Sequence, residues 1–261
     1  MEDMRAALQA LLFETRPFFF DEAALADSAA KGRADYVTRC DTGVQRFLQT
    51  ELARRWPDVQ FLGEEGARGA LDEAGRVFVL DPVDGTANLM HHLGHSAVSL
   101  ALVENGAPVL GFVYDPFRGE LFAAQKGAGA SCNGRPLRAS AADGLAHSVV
   151  AVGTSPYDRQ FTDANFALFR AVYGRCEDIR RSGSAALDLA YVAAGRLEGY
   201  FERNLKPWDF AAGMLLAAEA GALVSGWDGG ALRPLANADV MAAAPAVYGE
   251  LRALTAQSAG K

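Results

Sequence analysis

The sequence predicts a layered protein of mixed α/β and α+β class, with one large domain or two modest ones that share a cleft. Three observations support this prediction. The chain has 261 residues, of which 50% are hydrophobic and 22% are charged, as in globular proteins with a substantial core. Its first half contains strand patterns arranged for hairpins. Its second half alternates strand and helix patterns, which favours a sheet covered by helices.

Helices and a strand-rich stretch are predicted in the first half. Residues 2–29 have mainly helical periodicity, and Pro17 is expected to bend or break that helix because proline lacks the amide donor. A second helix is predicted over residues 41–55, with Asp41 at or near its N-cap. The dipeptide Asn105-Gly106 suits a tight hairpin turn. Strands are predicted at residues 59–62, 77–80, 98–103, 109–114 and 121–124.

The second half has no low-complexity linker before it, so the predicted boundary near residue 145 is soft. Residues 1–145 and 146–261 are expected to be two parts of one compact unit. The first part contains the acidic residues Glu65, Asp81 and Asp84, and the second contains Glu202 and Asp209. Strands are predicted at residues 148–152, 197–201, 222–225 and 239–243, separated by helices near 163–173, 184–195 and 208–220.

The charge balance narrows the classes of partner. The chain carries 25 Lys and Arg against 32 Asp and Glu, a formal net charge of -7, with a pI of about 5.2. Nucleic acid is disfavoured as the main partner, because binding to its phosphate backbone depends on clustered basic residues. The three cysteines show neither a disulfide framework nor zinc spacing, so a reducing cytoplasm is the expected setting.

The hydropathy pattern does not indicate a membrane protein. The longest apolar runs, such as residues 97–103, fall well short of the roughly 20 residues that a membrane-spanning helix requires. No secretory leader is expected, since Glu2, Asp3 and Arg5 open an amphipathic helical stretch. We therefore expect a cytoplasmic protein without a membrane partner.

Acidic residues stand at the ends of the predicted elements. Glu65, Asp81 and Asp84 each follow a predicted strand, and Asp209 stands at the start of a helix. Ligands usually bind at strand ends in open α/β sheets. These four carboxylates are therefore the first candidates for a functional site.

Asp81 and Asp84 belong to the hexapeptide DPVDGT at residues 81–86. The proline stiffens this turn and Gly85 permits an unusual backbone conformation, so that both carboxylates and the Val83 carbonyl can face one point. Taken alone, the hexapeptide is also compatible with a surface turn, because Asp, Pro and Gly are common turn residues.

Converging carboxylates must bind protons or cations. Two like charges about 4 Å apart repel by about 4 kcal/mol at an effective dielectric constant of 20. Oxygen ligands with few histidines favour Mg²⁺ over zinc. Two such ions about 3.5–4 Å apart can hold both the attacking water and the leaving oxygen of a phosphoryl displacement. The backbone N–H groups of Gly85 and Thr86 would then meet phosphate oxygens.

Five segments in order resemble the inositol monophosphatase family, within the larger group of lithium-sensitive, metal-dependent phosphatases. The similarity covers roughly residues 30–225. Each segment alone is weak evidence, whereas five in order are specific. The segments are KGRADYVTRCD at residues 31–41, FLGEE at 61–65, DPVDGTAN at 81–88, RSGSAA at 181–186, and Glu202 with PWD at 207–209.

The resemblance implies the layered αβαβα sandwich of the inositol monophosphatase and fructose-1,6-bisphosphatase type. It also implies a site for two or three Mg²⁺ ions. Glu65, Asp81 and the Val83 carbonyl would hold the first ion. Asp81, Asp84 and Asp209 would hold the second, and Glu65 would help to recruit a third.

The resemblance assigns further residues to catalysis and to the substrate. Thr86, hydrogen-bonded to Asp41, would orient the nucleophilic water with help from Glu65, and no phosphoenzyme is implied. The small phosphomonoester would meet residues from both halves of the chain: Asp84, Gly85, Thr86, Gly183, Ser184, Ala185, Glu202 and Asp209.

Lys31 has two compatible interpretations. The resemblance places it on a mobile hairpin shaped by Asp35 and Thr38, from which its ammonium could approach the site. An exposed loop lysine fits the sequence equally well.

The histidines near the hexapeptide have the spacing of a helical ligand pair, but no glutamate stands in the catalytic position between them. The segment also leads into a predicted strand. We expect the group to line the cleft or pack beneath it, and not to bind a metal. Its members are His91, His92 and His95.

The leading functional prediction is hydrolysis of myo-inositol monophosphate or a similar polyol phosphate. Histidinol phosphate and other sugar or nucleotide phosphates remain alternatives, because the metal motif recognises the phosphate and not the alcohol. A regulatory binding module that has kept the fold without catalysis is the non-enzymatic alternative. The resemblance further implies a homodimer and inhibition by Li⁺.

Overall fold

A computed structural model describes residues 2–21, 27–32, 35–66 and 69–258. These residues form a seven-stranded sheet, a five-stranded sheet and a two-stranded hairpin. Helices lie on both faces of each large sheet, which gives five layers in the order helix, sheet, helix, sheet, helix. The helices are α1 (Glu2–Glu14), α2 (Arg39–Arg55), α3 (Thr86–Met90), α4 (Thr162–Tyr173), α5 (Ala185–Ala193), α6 (Pro207–Glu219) and α7 (Pro245–Ala256).

The hairpin and the large sheet come from the first half of the chain. The hairpin pairs β1 with β2 in antiparallel fashion. The large sheet has the order β3-β4-β5-β6-β7-β8-β9; β3 and β4 are parallel, and the later neighbours are antiparallel. The strands are β1 (Ser28–Gly32), β2 (Asp35–Thr38), β3 (Gln60–Gly63), β4 (Arg76–Asp84), β5 (Ala97–Glu104), β6 (Ala107–Asp115), β7 (Glu120–Gln125), β8 (Gly129–Cys132) and β9 (Arg135–Pro136).

The small sheet comes from the second half and has the order β11-β10-β12-β14-β13. Its β10 lies parallel to both β11 and β12, whereas β14 is antiparallel to β12 and β13. The alternation of helices and strands in this half matches the predicted class. The strands are β10 (Val149–Val152), β11 (Asp178–Arg180), β12 (Gly199–Leu205), β13 (Leu223–Gly226) and β14 (Ala238–Ala243).

The layers share buried apolar faces. α1 and α2 pack against one face of the large sheet, where Leu11 and Leu48 join the cluster that contains Phe78. α5 and α6 lie between the sheets and contribute to a cluster on each side. α4 and α7 cover the outer face of the small sheet, where Leu168 and Leu251 are buried. Because second-half helices cover the first-half sheet, the two parts share one core, and the division near residue 145 stays a prediction.

The prediction of helix over residues 2–29 is wrong at residues 28–29, and the expected break at Pro17 is present. The helix ends at Glu14, and Pro17 lies in the first turn of a 3-10 helix, Arg16–Phe20, as expected from its missing donor. Ser28 and Ala29 belong to β1, because pairing with β2 outweighs the helical propensity of an alanine-rich stretch. Residues 22–26 lie outside the described residues.

The N-cap of α2 is Thr38, three residues before Asp41. Thr38 Oγ1 accepts the N–H groups of Cys40 and Asp41, and the Asp41 carboxylate accepts the Thr38 N–H at 2.8 Å, so the pair forms a capping box. This anchors Asp41 under the cleft. Helix α7 and strand β11 were not predicted from the sequence. Among the described residues, no helix has both the length and the apolar run that a membrane span needs.

Candidate active site

Three carboxylates converge where the large sheet meets the middle helix layer. Asp81 and Asp84 come from the end of β4, and Asp209 lies in the first turn of α6. One oxygen of each lies within 4.8 Å of those of the other two. Residues three apart point to opposite faces of a regular strand, but the β4–β5 ladder shifts register between Asp81 and Asp84. Such an irregularity re-aims side chains, which explains how both reach one point.

The chain itself holds one oxygen of each of these carboxylates. Asp84 is tied to the start of α5, Asp209 to the backbone just before α6, and Asp81 to the turn that follows it. These bonds fix the direction of the three side chains. They are Ser184 Oγ to Asp84 Oδ2 at 2.5 Å, Ala186 N to Asp84 Oδ2 at 2.7 Å, Lys206 N to Asp209 Oδ2 at 2.7 Å, and Val83 N to Asp81 Oδ1 at 2.9 Å.

Glu64 occupies the place beside Asp81 that sequence analysis predicted for Glu65. β3 pairs in parallel with β4, and the Glu64 N–H continues that ladder to the Leu80 carbonyl at 3.1 Å. Glu64 therefore follows β3 at the level of Asp81 and lines the cleft, whereas Glu65 is not among the lining residues. Glu64 lies close enough to Asp81 for its charge to raise the pKa of Asp81. Glu65 is instead held through its backbone by Gln45.

Lys31 reaches the cluster from the β1–β2 hairpin. Its Nζ lies 2.9 Å from Glu64 Oε1 and 2.6 Å from Glu65 Oε1. Burial lowers the pKa of Lys31, but the two carboxylates outweigh burial and hold that pKa above its usual value. Of the two interpretations of Lys31, the structure favours the one in which the ammonium approaches the site.

Burial and mutual repulsion raise the pKa values of the clustered acids. Burial and then the charge of Glu64 raise the pKa of Asp81 well above its usual value, and burial and then Asp84 do the same for Asp209. Burial raises the pKa of Glu64 to about 7 and that of Asp84 to about 6. The fully ionised cluster is therefore unfavourable without a cation.

Thr86 and Asp41 form a hydrogen-bonded pair beside the cluster. Thr86 Oγ1 lies 2.9 Å from Asp41 Oδ1 and 3.0 Å from the Val83 carbonyl, and it can donate its one proton to either acceptor. Thr38 occupies the other Asp41 oxygen, with Oγ1 at 2.5 Å. With its proton committed, the Thr86 oxygen offers lone pairs to a donor in the cleft. Asp41 lies fully buried behind Thr86.

Two glycine turns meet at the floor of the cleft. Gly85 has a φ of 92°, which glycine adopts without strain. A Cβ atom on Gly85 would lie 3.1 Å from the His95 carbonyl and 3.2 Å from the Gly183 carbonyl. The Asn88 amide fastens the same turns by donating to the His95 carbonyl at 2.7 Å and to the Ser182 carbonyl at 2.9 Å. This close approach joins the hexapeptide to the start of α5.

A cleft of about 550 Å³ extends from the carboxylates towards the small sheet, where Glu202 forms part of its far wall. Asp41 and Glu65 lie behind its surface. The other residues predicted for the site line it: Asp81, Val83, Asp84, Gly85, Thr86, Gly183, Ser184, Ala185, Glu202 and Asp209.

The three histidines have separate environments. His91 lines the cleft, and His92 is exposed at a φ of 54°. His95 packs edge-on against Tyr191, with 6.0 Å between ring centroids, and burial lowers its pKa. His91 and the packed His95 match the expectation that the histidines line the cleft or pack beneath it, whereas the exposed His92 is not among the lining residues.

Some cleft residues were missed by sequence analysis. Asp188 could have been found, because it follows Ser184 by four residues and so shares its face of α5; its Oδ2 accepts the Ser182 hydroxyl at 2.6 Å. Arg181, held by Thr154, also lines the cleft. Glu64 could have been found from the register of two parallel strands, had that register been known.

A model of the inositol monophosphatase family matches residues 2–261. The chain belongs to this family. Among its relatives, Nus factor SuhB of Xylella fastidiosa is 45% identical over 199 residues, which are 76% of this chain and 72% of that protein. The inositol-1-monophosphatase of Rhizobium meliloti is 41% identical over 211 residues, 81% of this chain and 79% of that protein.

Solved structures of the family share the fold. The extragenic suppressor protein suhB of Bartonella henselae superposes with a TM-score of 0.89 at 34% identity, covering 98% of each chain. An IMPase/NADP phosphatase complexed with Mg²⁺ and phosphate gives a TM-score of 0.84 at 25% identity, covering 97% of this chain and 94% of the other. The five-layered fold predicted from the resemblance is thereby confirmed.

Proposed function

We propose that this protein is a Mg²⁺-dependent phosphatase of small phosphomonoesters, with inositol monophosphate or a similar polyol phosphate as its preferred substrate. The convergence of Asp81, Asp84 and Asp209 beside Glu64 carries the proposal. Family membership supports it, because one relative is an inositol-1-monophosphatase and one family structure contains Mg²⁺ and phosphate.

The donor set fits Mg²⁺. The clustered groups are hard oxygen donors, and their raised pKa values reflect a negative charge that the cleft does not balance by itself. Glu64, Asp81 and the Val83 carbonyl would hold one ion, with Glu64 in the place predicted for Glu65. Asp81, Asp84 and Asp209 would hold a second, and a third ion would lie near Glu64. When bound, Mg²⁺ supplies Lewis-acid activation of water and stabilises the leaving oxygen.

The chain's own residues orient the reactants. Thr86, with its proton committed, would accept a hydrogen bond from the attacking water and so fix its direction. The N–H groups of Gly85 and Thr86 would face the phosphate. Ser184 keeps Asp84 in place. Glu202, on the far wall, would receive hydroxyl groups of the alcohol.

A regulatory role is the second candidate. The printed name of several relatives is Nus factor SuhB, and a binding role could accompany catalysis or replace it. The formal net charge of -7 gives no general attraction to nucleic acid. Turnover separates a phosphatase from a binding module that has lost catalysis, since such a module does not need intact acids in the cleft.

The test is phosphate release from inositol 1-phosphate with Mg²⁺ by Asp84→Asn and Asp209→Asn variants. Each should lose about 100-fold or more in kcat/KM, because losing a residue that only supports a metal ligand already costs about 10–100-fold. Asp163→Asn, an exposed change of the same kind on α4, is the matched control. Wild-type rates in either cleft variant would refute the two-ion assignment.

A further inference from the structure

Glu202 is held by the chain at both of its carboxylate oxygens. Oε1 accepts the N–H of Ser155 at 2.9 Å, and Oε2 accepts the hydroxyl of Tyr200 at 2.8 Å. This differs from the clustered aspartates, where the bonds from the chain named above reach one oxygen of each. The carboxylate of Glu202 is therefore fixed in orientation before any ligand arrives.

Strand β12 places Tyr200 where its hydroxyl reaches Glu202. It precedes Glu202 by two residues on β12, so both side chains project from the same face. The Tyr200 side chain is fully buried. Burial, and then the neighbouring Glu202, raise the pKa of Tyr200 well above its usual value, so its hydroxyl remains a donor at neutral pH.

Gly153 provides the space in which Glu202 lies. It follows β10, the strand next to β12, and its N–H donates to the Phe201 carbonyl at 3.0 Å. A Cβ atom on Gly153 would lie 1.8 Å from the Glu202 Cδ, so any side chain there would displace the carboxylate.

Ser155 has a backbone conformation that non-glycine residues rarely adopt. Its φ is 46°, and its hydroxyl donates to the Arg203 carbonyl at 2.8 Å. That bond and the one from its N–H to Glu202 hold the turn in the left-handed region. The turn thus directs its N–H at Glu202.

The remaining acceptor capacity of Glu202 defines what it can bind. A carboxylate oxygen has two lone-pair sites, and among the described residues one donor reaches each oxygen. With respect to those residues, one site on each oxygen is left, side by side on a carboxylate that lines the cleft. Two adjacent acceptors of fixed orientation suit two adjacent hydroxyl groups of a polyol.

We propose that Tyr200 is a positioning residue that, with Gly153 and Ser155, sets Glu202 to bind a pair of adjacent hydroxyl groups on the alcohol of the substrate. The proposal rests on the proposed phosphatase function and deepens it. It separates recognition of the alcohol from hydrolysis of the ester, because none of these three residues belongs to the metal cluster.

The test compares two esters that share a ring and differ in hydroxyl groups, inositol 1-phosphate and cyclohexyl phosphate. With Mg²⁺, Tyr200→Phe should raise KM for inositol 1-phosphate about tenfold and leave kcat within about twofold, since one hydrogen bond to a charged group is lost. Its KM for cyclohexyl phosphate should stay unchanged. Tyr248→Phe, which removes a hydroxyl bonded to Ser225 at 2.7 Å on the outer side of the small sheet, should change neither.

Gly153→Ala provides a second route to the same displacement. It should raise KM for inositol 1-phosphate at least as much as Tyr200→Phe and spare cyclohexyl phosphate. Equal effects on KM for the two esters would overturn this inference and leave the proposed function standing. An unchanged KM for inositol 1-phosphate in both variants would do the same. A wild-type protein that hydrolyses neither ester with Mg²⁺ would overturn the proposed function and the inference with it.

Discussion

The two ends of the cleft hold their carboxylates in different ways. At the large-sheet end, Glu64, Asp81, Asp84 and Asp209 are crowded, and their pKa values are raised by burial and by each other. At the small-sheet end, Glu202 receives a donor at each oxygen. The first end concentrates negative charge, and the second holds a carboxylate that the chain fixes at both oxygens. If the proposed function is correct, phosphate chemistry and choice of alcohol are separate properties of one cleft.

The middle helix layer joins these two ends. α5 begins with Ser184, whose hydroxyl holds Asp84, and α6 brings Asp209. Both helices also pack on the small sheet that carries Glu202. A change that displaces this layer would disturb both ends, whereas changes within one end should affect that end alone.

The largest effect on catalysis is expected from a change at Thr86. Thr86→Ala removes the oxygen that would orient the attacking water, and kcat should fall about 100-fold or more, as for loss of acid–base assistance. KM should change little, because the alcohol end is intact. Steady-state kinetics with inositol 1-phosphate measure both constants.

Thr86→Ser keeps the hydroxyl and the bond to Asp41, so it should recover most of kcat. A fall in kcat for Thr86→Ser as large as that for Thr86→Ala would contradict the role of the hydroxyl.

The Glu64→Gln and Glu65→Gln variants are expected to lose somewhat less activity than Thr86→Ala. Glu64 lines the cleft beside Asp81 and is proposed to hold an ion, so Glu64→Gln should lower kcat/KM at least about tenfold and raise the Mg²⁺ concentration needed for half-maximal activity. Glu65→Gln should cost less than about tenfold. Mg²⁺ titrations of both variants measure the difference, and the reverse order would restore Glu65 as the ligand.

The smallest predicted effect is on stability. Glu64 and Asp84 have folded pKa values of about 7 and about 6, above their ordinary values. Stability from such groups is present at low pH and is lost as pH rises through the folded pKa. The melting temperature of the metal-free protein should therefore be lower at pH 8 than at pH 5, by about 2–4 °C or more.

Added Mg²⁺ should stabilise the protein more at pH 8 than at pH 5, because cations compete with protons for the same oxygens. Thermal melts in chelator and in Mg²⁺ at both pH values measure this. Metal-free protein that melts higher at pH 8 would contradict the electrostatic description of the large-sheet end.

Most of the large-sheet end could be predicted from the sequence, because the patterns that indicate it are local. The hexapeptide at residues 81–86 combines carboxylates with turn residues, and Asp209 stands at a helix start. The choice between Glu64 and Glu65 depends on the register of β3 against β4, and a shift of one residue reverses the face. Alternation alone could not decide it.

The small-sheet end was predicted less completely. Glu202 was found through the family resemblance, but Tyr200, Gly153 and Ser155 were not. Their roles depend on contacts between β10 and β12, which lie about 50 residues apart in the chain. The helical prediction for residues 28–29 failed for a similar reason, since pairing with β2 decides their structure.

The most direct test of the account is a panel of phosphomonoesters compared by kcat/KM with and without Mg²⁺, because that ratio measures discrimination. Inositol 1-phosphate, histidinol phosphate and cyclohexyl phosphate form the panel. The account predicts Mg²⁺-dependent phosphate release, with the highest kcat/KM for inositol 1-phosphate. No Mg²⁺-dependent release from any member would contradict it.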